Sequence, residues 1–190
     1  GYSKQRVFRR LLVAPVNLRE EMLARIARET ALHEAHGGGR LIFKMNAIVD
    51  PAMIEALYRA SQAGVKVDLL IRGISCLRPG VSGLSENIRV ISIVGRFLEH
   101  ARAYYFANHG EPELYLGSAD LMQRNLDRRV ETVFPILDPA MRQRIIEKVL
   151  ELQLRDNAKA RELLPDGGYR YVAGNGKVID SQTTLMRADE

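Results

Sequence analysis

Residues 40–73 constrain this chain more than any other stretch, because an apolar run, a capped helix and a second apolar run follow one another almost without a gap. RLIFKMN (40–46) reads as a strand: Leu41, Phe43 and Met45 take one face, Ile42, Lys44 and Asn46 the other, since side chains alternate across a strand. Asp50-Pro51 then opens a helix, with Asp as N-cap and Pro at the first helical position, where a missing N–H breaks no bond. Met53, Ile54, Leu57 and Ala60 form its apolar stripe and Gly64 closes it. VKVDLLIRG (65–73) is apolar enough to predict burial on both faces, in the middle of a parallel sheet. Strand–helix–strand over this length is one right-handed crossover unit, and it commits the chain to an α/β fold.

The flanking segments extend that layer. LLVAP (11–15) reads as a short buried strand. Asn17 with Glu20 three residues on predicts a capping box for a helix that the glycines 37–39 end, its inner face carrying Leu18, Met22, Ile26, Ala27 and Thr30. Residues 88–94 and 129–136 read as further strands. Asp138-Pro139 repeats the cap-plus-proline start and predicts a helix reaching about Asn157, with Met141, Ile145, Ile146, Val149, Leu150 and Leu152 turned inward. The expected architecture is a mixed, largely parallel sheet flanked by helices, spanning residues 11–164 as one domain. Residues 1–10 are expected to be a linker from an upstream domain, and the start without methionine suggests an excised domain. Residues 165–190, rich in Gly, Asp, Arg and Thr, are expected to be a partly disordered tail docking through Tyr169 and Tyr171.

Composition narrows the function classes only a little. A net charge of +5, from 28 Lys+Arg against 23 Asp+Glu, favours an anionic partner without choosing among polyphosphate, nucleic acid and an anionic membrane. The single Cys76 excludes an internal disulfide and a thiolate metal cluster, and reads as a small apolar residue. No run reaches the length of a membrane span and the basic start lacks a signal-peptide core, so a cytoplasmic protein with at most peripheral membrane contact is expected. The sequence holds no Gly-x-x-x-x-Gly-Lys-Ser/Thr loop, no Gly-x-Gly-x-x-Gly after a strand and no two-histidine zinc motif. His33 and His36 lie near a helix C-terminus, where the dipole favours a cation, and read as surface residues.

The densest polar cluster lies in residues 96–131. Residues 100–106 read as a strand, Asn108, His109, Gly110 and Pro112 as a turn, and residues 114–116 as a second strand ending at Gly117-Ser118, so the pair predicts a hairpin. That hairpin brings His100 and Arg102, which share a strand face, near Ser118 and Asp120. An imidazole able to trade a proton near neutral pH, beside a fixed guanidinium, suits phosphoryl chemistry. Asn125, Asp127, Arg128, Arg129 and Glu131 add donors and countercharges; Arg102, Asp120, Asn125, Arg128 and Arg129 read equally well as an ion-pair lattice that orients His100. Arg72 ends the central strand, on the side of an open α/β sheet where ligands collect, and Lys44 and Asn46 are further candidate phosphate contacts. Arg78, in the long loop 74–87, is a weaker candidate, and His109 is expected to be exposed.

His-x-Arg on a strand followed by Gly-Ser-x-Asp resembles the His-x-Lys … Gly-Ser-x-Asn signature of the phospholipase D superfamily, with Arg102 in place of the lysine and Ala107 in place of an aspartate. LIFKMNAIVDPAMIEALYRASQAGVKVDLLIRGISCLRPG, SENIRVISIVGRFLEH and GSADLMQRNLDRRVE resemble the C-terminal catalytic domain of polyphosphate kinases, over about residues 10–172. The resemblance implies one phospholipase D-like half and reversible transfer of the terminal ATP phosphoryl group to polyphosphate, with Mg²⁺ neutralising the phosphates. It implies that the phosphohistidine lies in a preceding domain, that His100 acts as acid/base or stabilises the moving phosphoryl, and that Arg72 binds phosphate. Arg102, Lys44 and Asn46 join the phosphate-binding set, with Ser118, Asp120, Asn125, Arg128 and Arg129 behind them. A homo-oligomeric full-length protein is expected, the isolated chain is expected to be inactive, nucleic acid is not an expected partner, and the metal ligands are not identified. Two alternatives stay open: a phospholipase D-type phosphodiesterase with His100 as nucleophile, and a non-catalytic polyanion-binding or assembly module.

Overall fold

The computed structural model describes residues 7–174 and 176–187. Its elements in chain order are β1 (Leu12–Ala14), α1 (Leu18–His36), β2 (Arg40–Met45), α2 (Pro51–Gln62), β3 (Lys66–Ile71), β4 (Ile88–Ile93), β5 (Arg102–Phe106), β6 (Glu113–Gly117), β7 (Glu131–Pro135), α3 (Pro139–Ile145), α4 (Glu151–Leu154), β8 (Ala160–Leu163), β9 (Tyr169–Tyr171) and α5 (Ser181–Arg187). All the strands join one mixed sheet in the order β1-β7-β6-β5-β2-β3-β4-β8-β9. Parallel pairing is confined to β2–β3 and β3–β4, so the sheet is less parallel than the sequence implies. The reason is local: short connections such as that between β5 and β6 return the chain as hairpins, and a hairpin is antiparallel by construction.

Helices cover both faces of the sheet. On one, Leu18, Met22 and Ile26 of α1 and Met53 and Leu57 of α2 pack on Leu41, Phe43, Val67, Leu69, Tyr104 and Phe106. On the other, Ile146, Leu150 and Leu154 cover Ile42, Leu70, Ile91 and Ala103. Asp50 and Asp138 cap α2 and α3 as expected, accepting from Met53 N at 3.2 Å and Met141 N at 2.7 Å.

Three local expectations change. The capping box at Asn17 does not form, because Asn17 Oδ1 instead accepts from Val13 N (2.7 Å) and closes the turn leaving β1. On α1, Ala27 faces solvent while Glu29 is buried, its carboxylate accepting from Arg40 N (3.0 Å) and Asn108 N (2.8 Å) and joining the helix to the start of β2 and the turn after β5. The helix expected to run to Asn157 is α3, a π-helical stretch over Ile146–Leu150 and α4, and the wider turn moves the buried stripe to Ile146, Leu150 and Leu154 and leaves Met141 exposed.

The C-terminal region read as a tail contributes β9 to the sheet edge and α5 to the fold. Buried Asp156 holds it, accepting from the N–H and the hydroxyl of Ser181, each at 2.7 Å. Tyr169 and Tyr171 are exposed, Tyr171 meeting Arg161 at 2.9 Å. Residues 1–6, most of the expected linker, and residues 175 and 188–190 lie outside the described residues.

Candidate functional site

The site forms where β2 and β3 end and β5 begins. Asn46 follows β2, Arg72 follows β3, Arg102 opens β5 and Asp120 follows β6. Strand register brings them together: β2 pairs with β5 at Lys44↔Ala103, and β5 with β6 at Arg102↔Gly117. Gly73 N donates to Asn46 O at 2.8 Å, and Ile48 bridges to both Ser75 and Leu121, so the loops after β2, β3 and β6 are laced to one another. The buried Tyr104 hydroxyl donates to Ala119 O at 2.6 Å and fixes the backbone just before Asp120; burial holds that phenol protonated, with Asp120 reinforcing the effect. Gly117 is required by close approach, since a Cβ there meets Thr132 O at 2.5 Å.

These side chains form one hydrogen-bonded line. Arg72 donates from Nε (3.2 Å) and Nη2 (2.8 Å) to Asn46 Oδ1. Asn46 passes the contact on, its backbone N–H reaching Asp120 Oδ1 at 2.7 Å and its Nδ2 at 3.3 Å. Asp120 then accepts from Arg102 Nε (3.2 Å) and Nη2 (3.1 Å), and Arg102 Nη1 donates to the His100 carbonyl at 2.8 Å. Asn46 and Asp120 are buried, Arg102 is nearly so, and the His100 imidazole is exposed with no hydrogen-bond partner among the described residues. An inner row of fixed polar groups thus reaches the backbone of His100, whose ring is exposed.

The other expected residues divide. Lys44 is buried, and its Nζ lies 2.7 Å from Glu99 Oε2. The cavity that it lines with Arg72, Glu99 and Gln153 holds about 10 Å³, room for no more than about one water. Burial alone pushes the Glu99 carboxyl up, but the Lys44 ammonium with the Gln182 and Gln153 amides outweighs it and holds Glu99 below the usual carboxylate range. Ser118 and Asn125 both turn to the buried Glu131, the hydroxyl through a short bond to Oε2 and the amide at 2.7 Å to Oε1. Arg128 and Arg129 are exposed, Arg129 lying 4.0 Å from Glu131. Asp127 belongs elsewhere: with Asp50 it holds Arg19, at 2.7 Å each, and Arg19 keeps its pKa low. Arg78 donates to Pro165 O at 2.6 Å, and exposed His109 stacks on His36 with ring centroids 4.3 Å apart.

Sequence reasoning missed Glu99, Gln153 and Gln182. Glu99 carried a signal, being the neighbour of His100, but the two glutamines come from distant segments and carried none. No group of three or more His, Cys, Asp or Glu that could hold a metal occurs among the described residues, and Asp120, Glu131 and Glu99 are each already paired with donors.

A family model described as "Polyphosphate kinase C-terminal domain 2" matches residues 11–182. The chain belongs to that family. It is 57% identical over 187 residues to polyphosphate kinase 1 of Chlorobaculum tepidum, covering 98% of this chain and 27% of that protein. It is 58% identical over 170 residues to a Synechocystis polyphosphate kinase, covering 89% of this chain and 23% of the relative. The chain therefore spans about a quarter of the length of the kinases that it matches. The crystal structure of polyphosphate kinase from Porphyromonas gingivalis superposes with a TM-score of 0.93 at 41% identity, over 97% of this chain and 28% of that one. Nuc of Salmonella typhimurium, a phospholipase D family member, superposes with a TM-score of 0.59 at 14% identity, over 81% of this chain and 96% of that one. At that identity the likeness shows a shared fold, and this polyphosphate kinase domain has the phospholipase D-like architecture.

Proposed function

We propose that this domain supplies half of a phosphoryl-transfer site within a polyphosphate kinase, and that the whole enzyme moves the terminal phosphoryl of ATP reversibly to and from polyphosphate. The observation that carries the reading is the side-chain line Arg72–Asn46–Asp120–Arg102, which reaches the backbone carbonyl of His100, whose imidazole is exposed and without a hydrogen-bond partner among the described residues. Arg72 has guanidinium donors beyond those given to Asn46, and a guanidinium suits paired contacts to phosphate oxygens. His100 takes or gives a proton, or stabilises charge on the moving group. The phosphohistidine belongs to another domain of the same polypeptide, so the chain by itself turns over negligibly. Cytoplasmic location and assembly of the full-length enzyme into a homo-oligomer belong to the same reading. Among the described residues no helix is long and apolar enough to cross a membrane. Mg²⁺ that neutralises the phosphates belongs to the same reading, held through the substrate phosphates, and no step is assigned to it.

The test joins this chain to the remaining kinase domains and measures ATP–polyphosphate exchange. Arg72→Ala and His100→Ala each lower the rate by about 100-fold or more, the scale of one acid/base or charge-stabilising group. Exchange within about twofold of the unsubstituted enzyme in both variants contradicts the assignment.

A further inference from the structure

The segment that delivers His100 has little structure of its own. It follows β4, exposes Val94, Phe97 and Leu98, and its backbone makes an internal bond from His100 N to Leu98 O at 3.1 Å. What holds it is a side chain from the far end of the domain. Gln182, buried in the first turn of α5, accepts from Phe97 N at Oε1 (3.0 Å) and donates from Nε2 to Phe97 O (2.9 Å). Its amide thus pairs with both polar groups of one residue, as a neighbouring strand does. The same Nε2 reaches Glu99 Oε1 at 2.8 Å, while Glu99 Oε2 takes Lys44 Nζ at 2.7 Å and Gln153 Nε2 at 2.8 Å.

Two further observations show that this contact is built in. A Cβ on Gly95 falls 2.5 Å from Gln182 Oε1, so the amide lies against a position where the segment has no side chain. The start of α5 is fixed in turn, Ser181 being fully buried and bound twice by Asp156. A glutamine that merely filled space in α5 has no need to satisfy both backbone groups of Phe97.

We propose that Gln182 is a positioning residue for His100: α5 acts as a latch that clamps Phe97 and Glu99, and the presentation of the imidazole to an anionic ligand depends on that clamp. The ligand part rests on the phosphate reading above; the clamp itself does not. With Glu99 held from β2, α4 and α5, and the His100 carbonyl held by Arg102, the backbone on both sides of the imidazole is fixed while its ring stays open.

The experiment compares the full chain with Gln182→Ala and with Met186→Ala, an exposed position on the same helix. Amide exchange at Phe97 and the NMR titration of the His100 ring are followed without ligand and with tripolyphosphate. In Gln182→Ala, Phe97 exchange quickens about tenfold or more as the segment opens locally, the ligand-free His100 titration changes, and tripolyphosphate affinity falls several-fold. Met186→Ala leaves these readouts as in the unsubstituted chain, and Gln182→Ala still unfolds cooperatively, at a melting temperature lowered by the buried hydrogen bonds that it loses. Should the alanine variant fail to fold, Gln182→Glu keeps the packing and the acceptor but loses the donor beside Glu99, and moves both readouts the same way. Phe97 exchange within about twofold of the unsubstituted chain, or an unmoved ligand-free His100 titration in a folded variant, overturns the proposal. If the unsubstituted chain takes up no tripolyphosphate, the phosphate reading falls, and the two ligand-free readouts still decide the clamp.

Discussion

Arg102 grips Asp120 at two points, Nε to Oδ1 at 3.2 Å and Nη2 to Oδ2 at 3.1 Å, and both side chains are largely withdrawn from water. The Asp120 carboxylate also takes the Asn46 N–H, so one buried anion ties β2, β5 and the end of β6. Asp120→Ala leaves a desolvated guanidinium without its partner. Breaking such a pair costs roughly 3–5 kcal/mol, and urea unfolding should show a loss of that order, with Asp120→Asn losing less.

Lys44 and Glu99 make a second buried pair beside β2, at 2.7 Å. Either charge alone there is costly, so Lys44→Met and Glu99→Gln each destabilise the domain. The double variant should recover about 1 kcal/mol or more of the summed loss, the coupling typical of residues in contact. Strict additivity in a double-mutant cycle contradicts a working ion pair.

Stability should fall in acid for a stated reason. The Glu99 carboxyl is held down by Lys44 and its amide donors against the upward push of burial, and Asp156 by the N–H groups of Lys159, Ser181 and Ala160 and the Ser181 hydroxyl, again against burial. A carboxylate whose folded pKa lies below its unfolded value adds stability above the unfolded value, about 4 for these groups, and that stability is lost as pH falls through the folded one. Unfolding free energy is therefore level from about pH 7 to 5 and declines below about pH 4. Asp156→Asn should flatten that decline, measured by denaturant unfolding across the range.

The fit at Gly117 is steric. A Cβ there meets Thr132 O at 2.5 Å and Val133 Cγ2 at 2.7 Å. Gly117→Ala should lower stability by about 1–3 kcal/mol, as overpacking does, and shift the resonances of Ser118 and Asp120. An alanine variant as stable as the parent means that β6 and β7 are not so closely packed.

The crossover unit was legible because cap, proline and apolar period agree over residues 40–73, and local and tertiary preferences coincide there. The hairpin carrying Arg102 was legible for the same reason, and its register brings Arg102 opposite Gly117. His100 instead lies before β5 in a segment without strand pairing, so the strand face expected to be shared with Arg102 does not form there. The partners of Lys44 were not legible because strand parity tells which face a side chain takes and not what else arrives there; Glu99 and Gln153 come from segments that nothing local links to β2. Glu29 escaped for a related reason, since a buried carboxylate that satisfies two backbone N–H groups looks in sequence like any surface glutamate. The C-terminal region was taken for a tail on composition, whereas Asp156 and Gln182 anchor it through polar contacts that leave no apolar period to read.

The central claim is that Arg72 and His100 address one anionic group. Calorimetric titration of the chain with tripolyphosphate, at two salt concentrations, tests it directly. The account predicts weak, salt-sensitive binding that drops about tenfold, near 1.4 kcal/mol, in Arg72→Ala and again in His100→Ala, with the double variant losing less than the sum because both touch the same ligand. Binding that both single variants leave unchanged contradicts it.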